Sequence, residues 1–306
     1  MAEEDLEAAD RIMRVAFGTF RGLPDPSTTF GDADSVRTRF RAAPECAWVA
    51  EVDGDVVGSV FATRWGAFGF FGPLTVRPEY WDRGVASRLL EPVLEALDGW
   101  GVRQAGLFTF PNSPKHLGLY QKHGFWPRFL TAVMAKPVRA DARGAYTLFS
   151  QVPRARQAAL LEEIRGLTDA VFPGLDLERE VLAAKVQGIG DTILLHSESE
   201  LAGMAVCHCG AGSEAGSGVS YVKFGAVRPG PAAADRFEQL LDACEAFAAA
   251  SGLARLVAGV NTGRLDAYRC MLRRGFRADM IGVSMALWPE SPHFDTSDHY
   301  VIDDLR

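Results

Sequence analysis

Long apolar runs are missing from this 306-residue chain. No stretch of about 18 uncharged apolar residues is present to cross a bilayer, and the opening residues, Met1-Ala2-Glu3-Glu4-Asp5, are acidic where a secretory leader would be basic. A basic surplus is missing as well. The formal net charge is −7 and both halves of the chain are negative, which removes the attraction on which binding to a phosphate backbone depends. Cysteine is sparse: five residues (Cys46, Cys207, Cys209, Cys244 and Cys270), an odd number without the density of a disulfide scaffold. In the run Cys207-His208-Cys209, strand alternation would send both thiols to one side and the imidazole to the other, so it closes no chelate and no metal is expected. These absences predict a soluble, cytoplasmic protein with neither nucleic acid nor membrane as a partner. What is present, 48% hydrophobic and 23% charged residues, is an ordinary globular composition, over a length that suits two domains better than one.

The chain is organised around residues 70–125. An apolar, β-prone run, Phe70-Phe71-Gly72-Pro73-Leu74-Thr75-Val76, leads through Arg77-Pro78-Glu79-Tyr80-Trp81-Asp82-Arg83-Gly84 into a segment with Val85, Leu89, Val93 and Leu97 at helical spacing. A strand that feeds a helix start in this way leaves unpaired N–H groups and a dipole that favour an anion. Gly84 and Ala86 are small enough for a phosphate to approach the backbone, and Arg83 adds a cation. Pro92 removes one hydrogen bond within the helix and is expected to kink it beyond the anion end. A strand from Gln104 to Phe110 follows, then a helix with Ser113 as N-cap and Pro114 at its first position. It ends in Leu119-Tyr120-Gln121-Lys122-His123-Gly124-Phe125, with His116 one turn before Tyr120 on the same face. His123 is expected to cap the last carbonyls.

The pattern Val-x-Pro-x-x-(Gln/Arg)-x-x-Gly-x-(Gly/Ala), followed by Leu-Tyr-x-x-x-Gly-Phe, resembles the acyl-CoA-binding core of the GNAT N-acetyltransferase superfamily. The resemblance covers residues 1–137. It implies a central, mostly antiparallel sheet with flanking helices, an α/β fold. It also implies acetyl-CoA as co-substrate, with the pyrophosphate on Val85, Ala86 and Ser87 beside Arg83 and Gly84, and the pantetheine along Leu74, Thr75 and Val76. Val76's backbone N–H corresponds to the family's oxyanion donor and Tyr120 to the catalytic acid that re-protonates the thiolate. Trp81 stands where the family usually has Gln or Arg. Ser113, a further cofactor-binding position, stands where it often has Asn.

Ahead of the core, a helix from Leu6 to Phe20, a turn-rich loop from Arg21 to Asp32 and a second helix after Asp34 are predicted. Two strands, 48–52 and 56–65, join at Asp53-Gly54-Asp55, a hairpin signal. A last strand spans 129–135. Residues 138–145 resemble a linker, after which the chain begins again: Val-Arg-Pro recurs at 227–229 and Gly-Phe at 275–276, both 151 residues after their first occurrence. Strands at 192–196 and 202–208, a flexible loop at 210–218, a helix around 237–247, a strand at 256–260 and a helix at 262–274 are expected. The chain therefore reads as two tandem GNAT-like domains, 1–137 and 146–289, with a tail at 290–306. In the second copy Gly84 maps onto Asp235, Arg83 onto Ala234, Ala86 onto Phe237 and Tyr120 onto Met271, each change opposing CoA chemistry. Tyr268 lies one turn before Met271.

The expected reaction is direct transfer of an acetyl group from acetyl-CoA to the amine of a small molecule. A protein or peptide N-acetyltransferase and a non-catalytic acyl-CoA-binding protein are the alternatives, and a homodimer is compatible with either. No acid lies in 68–76 or 104–110, so a base would be water or a loop residue such as Asp25 or Asp32. Trp65, Phe68, Phe70, Phe71, Phe108, Phe110, Trp126 and Phe129 are expected to line or approach the cleft; strand alternation sends about half of them into the core, and the rest form an apolar wall without a carboxylate, which suits an amine with an apolar or aromatic body better than a polycation.

Overall fold

The computed structural model describes residues 1–197, 200–291 and 293–306; residues 198, 199 and 292 lie outside it, the last within the expected tail. The first copy comprises α1 (Leu6–Phe20), α2 (Ser35–Ala42), β1 (Ala47–Val52), β2 (Asp55–Trp65), β3 (Phe68–Val76), α3 (Val85–Gly99), β4 (Gln104–Thr109), α4 (Pro114–Lys122) and β5 (Trp126–Pro137). Local chemistry explains most boundaries. Asp34 caps α2 by accepting from the Arg37 N–H at 2.8 Å. Asp53 and Gly54 take φ of 53° and 84°, the left-handed pair that a tight hairpin between β1 and β2 requires. α3 runs from Val85 to Gly99 with Pro92 inside it, so the expected kink does not end the helix.

The second copy follows as β6 (Thr147–Leu148), α5 (Arg154–Val171), α6 (Glu178–Gln187), β7 (Gly190–Ser197), β8 (Glu200–Gly210), β9 (Gly216–Val227), α7 (Ala233–Ala250), β10 (Arg255–Asn261), α8 (Leu265–Arg273), β11 (Arg277–Ala286) and β12 (Val301–Ile302). The repeat of 151 holds in three dimensions. It carries Pro114–Lys122 onto Leu265–Arg273 and the start of β5 at Trp126 onto the start of β11 at Arg277. Helices α5 and α6 were not foreseen from the sequence. The linker is not a free tether either: the Val138 N–H donates to Ala254 O at 2.9 Å, and Gly144 lies so close to Ala243 that a methyl group would stand 2.8 Å from its backbone.

Among the described residues the two copies share one twelve-stranded sheet, ordered β1-β2-β3-β4-β11-β5-β10-β9-β8-β7-β6, with β12 on β9. Its centre departs from two self-contained domains. β5 would be expected to lie beside β4, and β11 beside β10; instead β11 pairs with β4 and β5 pairs with β10, both antiparallel, and the two exchanged strands pair with each other. Each copy's last strand thus completes the other copy.

Side-chain packing follows the exchange. Val60, Phe71, Leu90, Val93, Leu97, Leu107, Tyr120 and Phe125 form a core between the first copy's sheet and α3 and α4. Leu240, Leu241, Cys244, Val260 and Met271 belong to the second copy's counterpart. A third core is shared, with Trp65, Phe68 and Phe70 buried against Leu160, Ile164 and Leu167 of α5 and Phe224 of β9. At roughly 1.5–3 kcal/mol for each fully buried large apolar side chain, those three rings weld the copies together. They therefore belong to the share of the aromatic residues that strand alternation sends into the core, and not to the cleft.

Candidate active site

Strands β3 and β4 begin side by side and then part. Their parallel pairing covers only Phe68 with Gln104, Gly69 with Ala105 and Phe70 with Gly106. Beyond Phe70 an irregularity in the β2–β3 register, between Val60–Leu74 and Ala62–Phe71, carries β3 away. Leu74, Thr75 and Val76 then pair with β2 alone. Their other edge presents backbone groups with no neighbouring strand, a ladder to which an extended amide-bearing ligand can add. Thr75 is buried, its hydroxyl 3.2 Å from that of Ser59, so only its backbone faces the gap.

The chain leaving β3 is braced. The Trp81 indole donates to Val76 O at 2.7 Å, and Lys115 of α4 lies 5.3 Å from the Trp81 ring centre and 2.7 Å from Asp82. Trp81 is thus a structural strut in a position where the related pattern has a polar side chain. Gly84 precedes α3 with φ of 80°, a left-handed conformation that costs other residues about 1–2 kcal/mol. A methyl group there would meet nothing within 4 Å. Among the described residues no side chain caps α3, and its first turn holds no acid, so the N–H groups around Val85, Ala86 and Ser87 remain available to an anion. Arg83 is exposed, its guanidinium 5.2 Å from the Tyr80 ring centre.

Helix α4 supplies the candidate acid. Tyr120 is buried beside Phe71, ring centres 5.8 Å apart. Burial pushes its phenol up to about 12, only partly offset by a hydrogen bond with Thr109 of β4. It is therefore protonated at neutral pH, as an acid for a departing thiolate must be. Ser113 caps α4 as expected, but its hydroxyl, 2.6 Å from His116 Nδ1, is already engaged. Burial, with Lys115 adding to it, lowers the His116 pKa, so that ring is neutral near pH 7. His123 closes α4 through its backbone N–H; its Nε2 finds no partner among the described residues, so the ring caps nothing.

Four phenylalanines gather at the start of α4. Phe110 lies 6.1 Å from Phe17 and 4.6 Å from Phe20, Phe17 lies 5.3 Å from Phe30, and Phe20 lies 4.9 Å from His116. Phe20 and Phe30 remain 36% and 42% exposed, so this group forms an open apolar wall. Of the aromatic residues expected in the cleft only Phe110 belongs to it. Phe71 is core, Phe108 packs on Gly282, and Trp126 and Phe129 lie on the exchanged strand β5. Phe17 and Phe20 were missed because helical spacing alone assigns α1 rings to the core, and Phe30 because it stands in the turn-rich loop, which has no periodicity to place a ring.

The loop after α1 is pinned by hydrogen bonds. Arg14 donates to the carbonyls of Thr29, Gly31 and Ala33 at 2.6–2.8 Å. The second copy's 210–218 loop docks on it: the Gly212 N–H donates to Asp32 O, the Asp34 N–H to Ser213 O, and the Ser217 N–H and hydroxyl to the Asp32 carboxylate. The Ser217 hydroxyl and N–H lower the Asp32 pKa, making it a poor base. Asp25 is also engaged, accepting from the N–H and hydroxyl of Ser27. Behind the loop, Arg39 reaches Gly72 O and pairs at 2.9 Å with Glu214, which also pairs with Lys223. Burial opposes ionisation of Glu214, yet the two cations prevail and hold its pKa well below 4.5. No local sequence signal joins Arg39 to a residue 175 positions away.

The second copy lacks these features. Helix α7 starts at Ala233, so Asp235 lies within its first turn and not at the cap, where Ala232 stands. The acid still opposes an anion. Phe237 is fully buried, 5.4 Å from the Tyr300 ring, and Met271 is buried in the core. Tyr268 packs on the same core. Among the described residues no group of three or more His, Cys, Asp or Glu could hold a metal ion; Cys207 packs in the α7 core while His208 faces the opposite side, towards Glu214 and Lys223. No helix among the described residues is long and apolar enough to cross a membrane.

Comparison with known proteins agrees with this geometry. The sequence profile of the Acetyltransferase (GNAT) family matches residues 11–125, and no curated protein is similar enough in sequence to count as a relative. Among solved structures, a candidate acetyltransferase from Pyrococcus horikoshii is similar with TM-score 0.66 at 16% identity, over 98% of this chain and 91% of that one. A GCN5-related N-acetyltransferase from Sphaerobacter thermophilus is similar with TM-score 0.59 at 16% identity, over 94% and 93%. One from Anabaena variabilis gives TM-score 0.53 at 14% identity, over 93% and 70%. At such identities the likeness is one of fold, and it spans both copies. Residues 11–125 thus carry the sequence profile of the Acetyltransferase (GNAT) family, and the chain as a whole shares the fold of these structures.

Proposed function

We propose that the first copy transfers an acetyl group from acetyl-CoA to the amine of a small molecule with an apolar or aromatic body. The observation that carries the reading is the parting of β3 from β4 in front of an uncapped helix start. The free edge at Leu74–Val76 would hold the pantetheine amides. The N–H groups of Val85, Ala86 and Ser87, with Arg83, would hold the pyrophosphate, and the open space at Gly84 admits it. At the reacting end Val76's N–H would stabilise the oxyanion, and Tyr120, whose phenol is protonated at neutral pH, would deliver a proton to the thiolate.

The acceptor side supports the choice of amine. The wall of Phe17, Phe20, Phe30 and Phe110 is apolar, Glu214 is neutralised by Arg39 and Lys223, and Asp25 and Asp32 accept from Ser27 and Ser217. A polycation would need free acids, whereas an arylalkylamine would bury apolar area at roughly 25 cal/mol per Å². With no free acid on the loop, water is left to take the proton of the amine. An assay of thiol release at saturating acetyl-CoA tests the assignment. Arylalkylamines and hydrophobic amino acids should turn over faster than spermine or kanamycin; the reverse order would refute the acceptor class.

A further inference from the structure

The second copy's strands part as the first copy's do, and the gap between them is filled. Parallel pairing of β9 with β10 ends at Val222–Ala258. Beyond it β12 adds to the free edge of β9, antiparallel, with Val301 opposite Ala226 and Ile302 opposite Gly225. One repeat earlier, those positions are Thr75 and Leu74, the free ladder of the first copy. Val301, Ile302, Asp303 and Asp304 are each at most 2% exposed.

The gap is fitted to this segment by residues that differ from the first copy. Arg264 stands one repeat after Ser113, at the start of α8. It donates to Phe294 O at 3.1 Å and Val301 O at 3.3 Å and pairs with Asp303 at 2.6 Å and Asp295 at 2.8 Å. Gly259 stands one repeat after Phe108, and any side chain there would collide with Asp304. The Tyr221 hydroxyl donates to Asp304 Oδ1 at 2.8 Å, and Arg306 stacks over the Tyr221 ring at 4.9 Å. Leu305 continues to β4 of the first copy, close enough to Gly106 that an added methyl would lie 3.2 Å from it.

We propose that the second copy is a peptide-binding module: its cleft is a groove for an extended acidic peptide, and residues 301–306 are its ligand in cis. Strand addition supplies the backbone bonds, Arg264 and Tyr221 read the two acids, and Gly259 makes room for the second of them. The inference rests on the equivalence of the two copies and not on the reaction of the first.

Two measurements on the full chain test it. Hydrogen exchange of amides 302–304 should be strongly protected in the native protein and at least about tenfold faster in the Asp303→Ala/Asp304→Ala variant, which keeps Arg264, Tyr221 and Gly259 of the groove. A labelled peptide Val-Ile-Asp-Asp-Leu-Arg should bind that variant with one-to-one stoichiometry and at least about tenfold more tightly than it binds the native chain, with a scrambled peptide binding neither. Exchange at free-peptide rates in the native chain would overturn the proposal, whether or not the variant folds. So would equal binding of the scrambled peptide, or uptake of a second equivalent of acetyl-CoA by the variant, which would make the gap a blocked cofactor cleft.

Discussion

Tyr120 and Met271 occupy equivalent places, each the seventh residue of its helix and each buried against its own copy's core. One carries a hydroxyl bonded to Thr109; the other is a thioether with nothing to donate. Tyr120→Phe should therefore leave acetyl-CoA affinity unchanged and lower kcat by about 10²-fold. The pH profile adds an independent check. A phenol held at about 12 stays protonated through the working range, so kcat should show no alkaline limb from this residue below pH of about 11. A limb near pH 9 that vanishes in Tyr120→Phe would contradict the environment described here.

The strand exchange predicts how the protein unfolds. β5 has β11 on one side and β10 on the other, so residues 1–137 alone would leave β5 unpaired and β4 with an open edge. Calorimetry of the full chain should show one cooperative transition, and the 1–137 fragment should fail to give a folded, dispersed NMR spectrum. Two separate transitions would show that the copies are energetically independent.

His208 makes stability depend on pH. Burial drives its pKa down to about 4 despite Glu214 nearby; Lys223 and Arg39 lower it further and Glu180 raises it. Neither ring nitrogen has a partner among the described residues. The folded state thus prefers the neutral ring. Its contribution, present above the ordinary pKa of 6.5, is lost as pH falls towards 4, a gap on the order of 3 kcal/mol. His208→Asn should shrink the drop in Tm between pH 7 and 5. Below 4.5, where Glu214 of the unfolded chain takes up a proton, the stability that its ionised form contributes begins to be lost from both proteins, so an identical slope at pH 7–5 is the outcome that would refute the assignment.

Sequence periodicity revealed much of this architecture, because its signals are local. Asp53-Gly54 marks the hairpin, Ser113-Pro114 marks the start of α4, and Val-Arg-Pro with Gly-Phe marks the repeat. The exchange was not legible. β5 and β11 are equivalent strands, and nothing in an alternating pattern says which copy's neighbour each will choose. That Trp65, Phe68 and Phe70 fall within the core's share of the aromatic residues was hidden for the same reason, since their partners in α5 and β9 lie far along the chain. The loop of Gly210–Gly218 looked flexible from its glycines, but Asp32 and Asp34 hold it. The groove's occupant was equally invisible, because Val301–Ile302 is too short to announce itself as a strand.

The central claim is that acyl-CoA is handled by one copy only, at the helix start behind Gly84. Calorimetric titration of the full chain with acetyl-CoA, beside the Gly84→Asp variant, tests it most directly. That substitution places a side chain at φ of 80° and a negative charge where the N–H groups of α3 are free. The account predicts one site per native chain and no binding in the variant. Two sites in the native chain, or one surviving in Gly84→Asp, would contradict it.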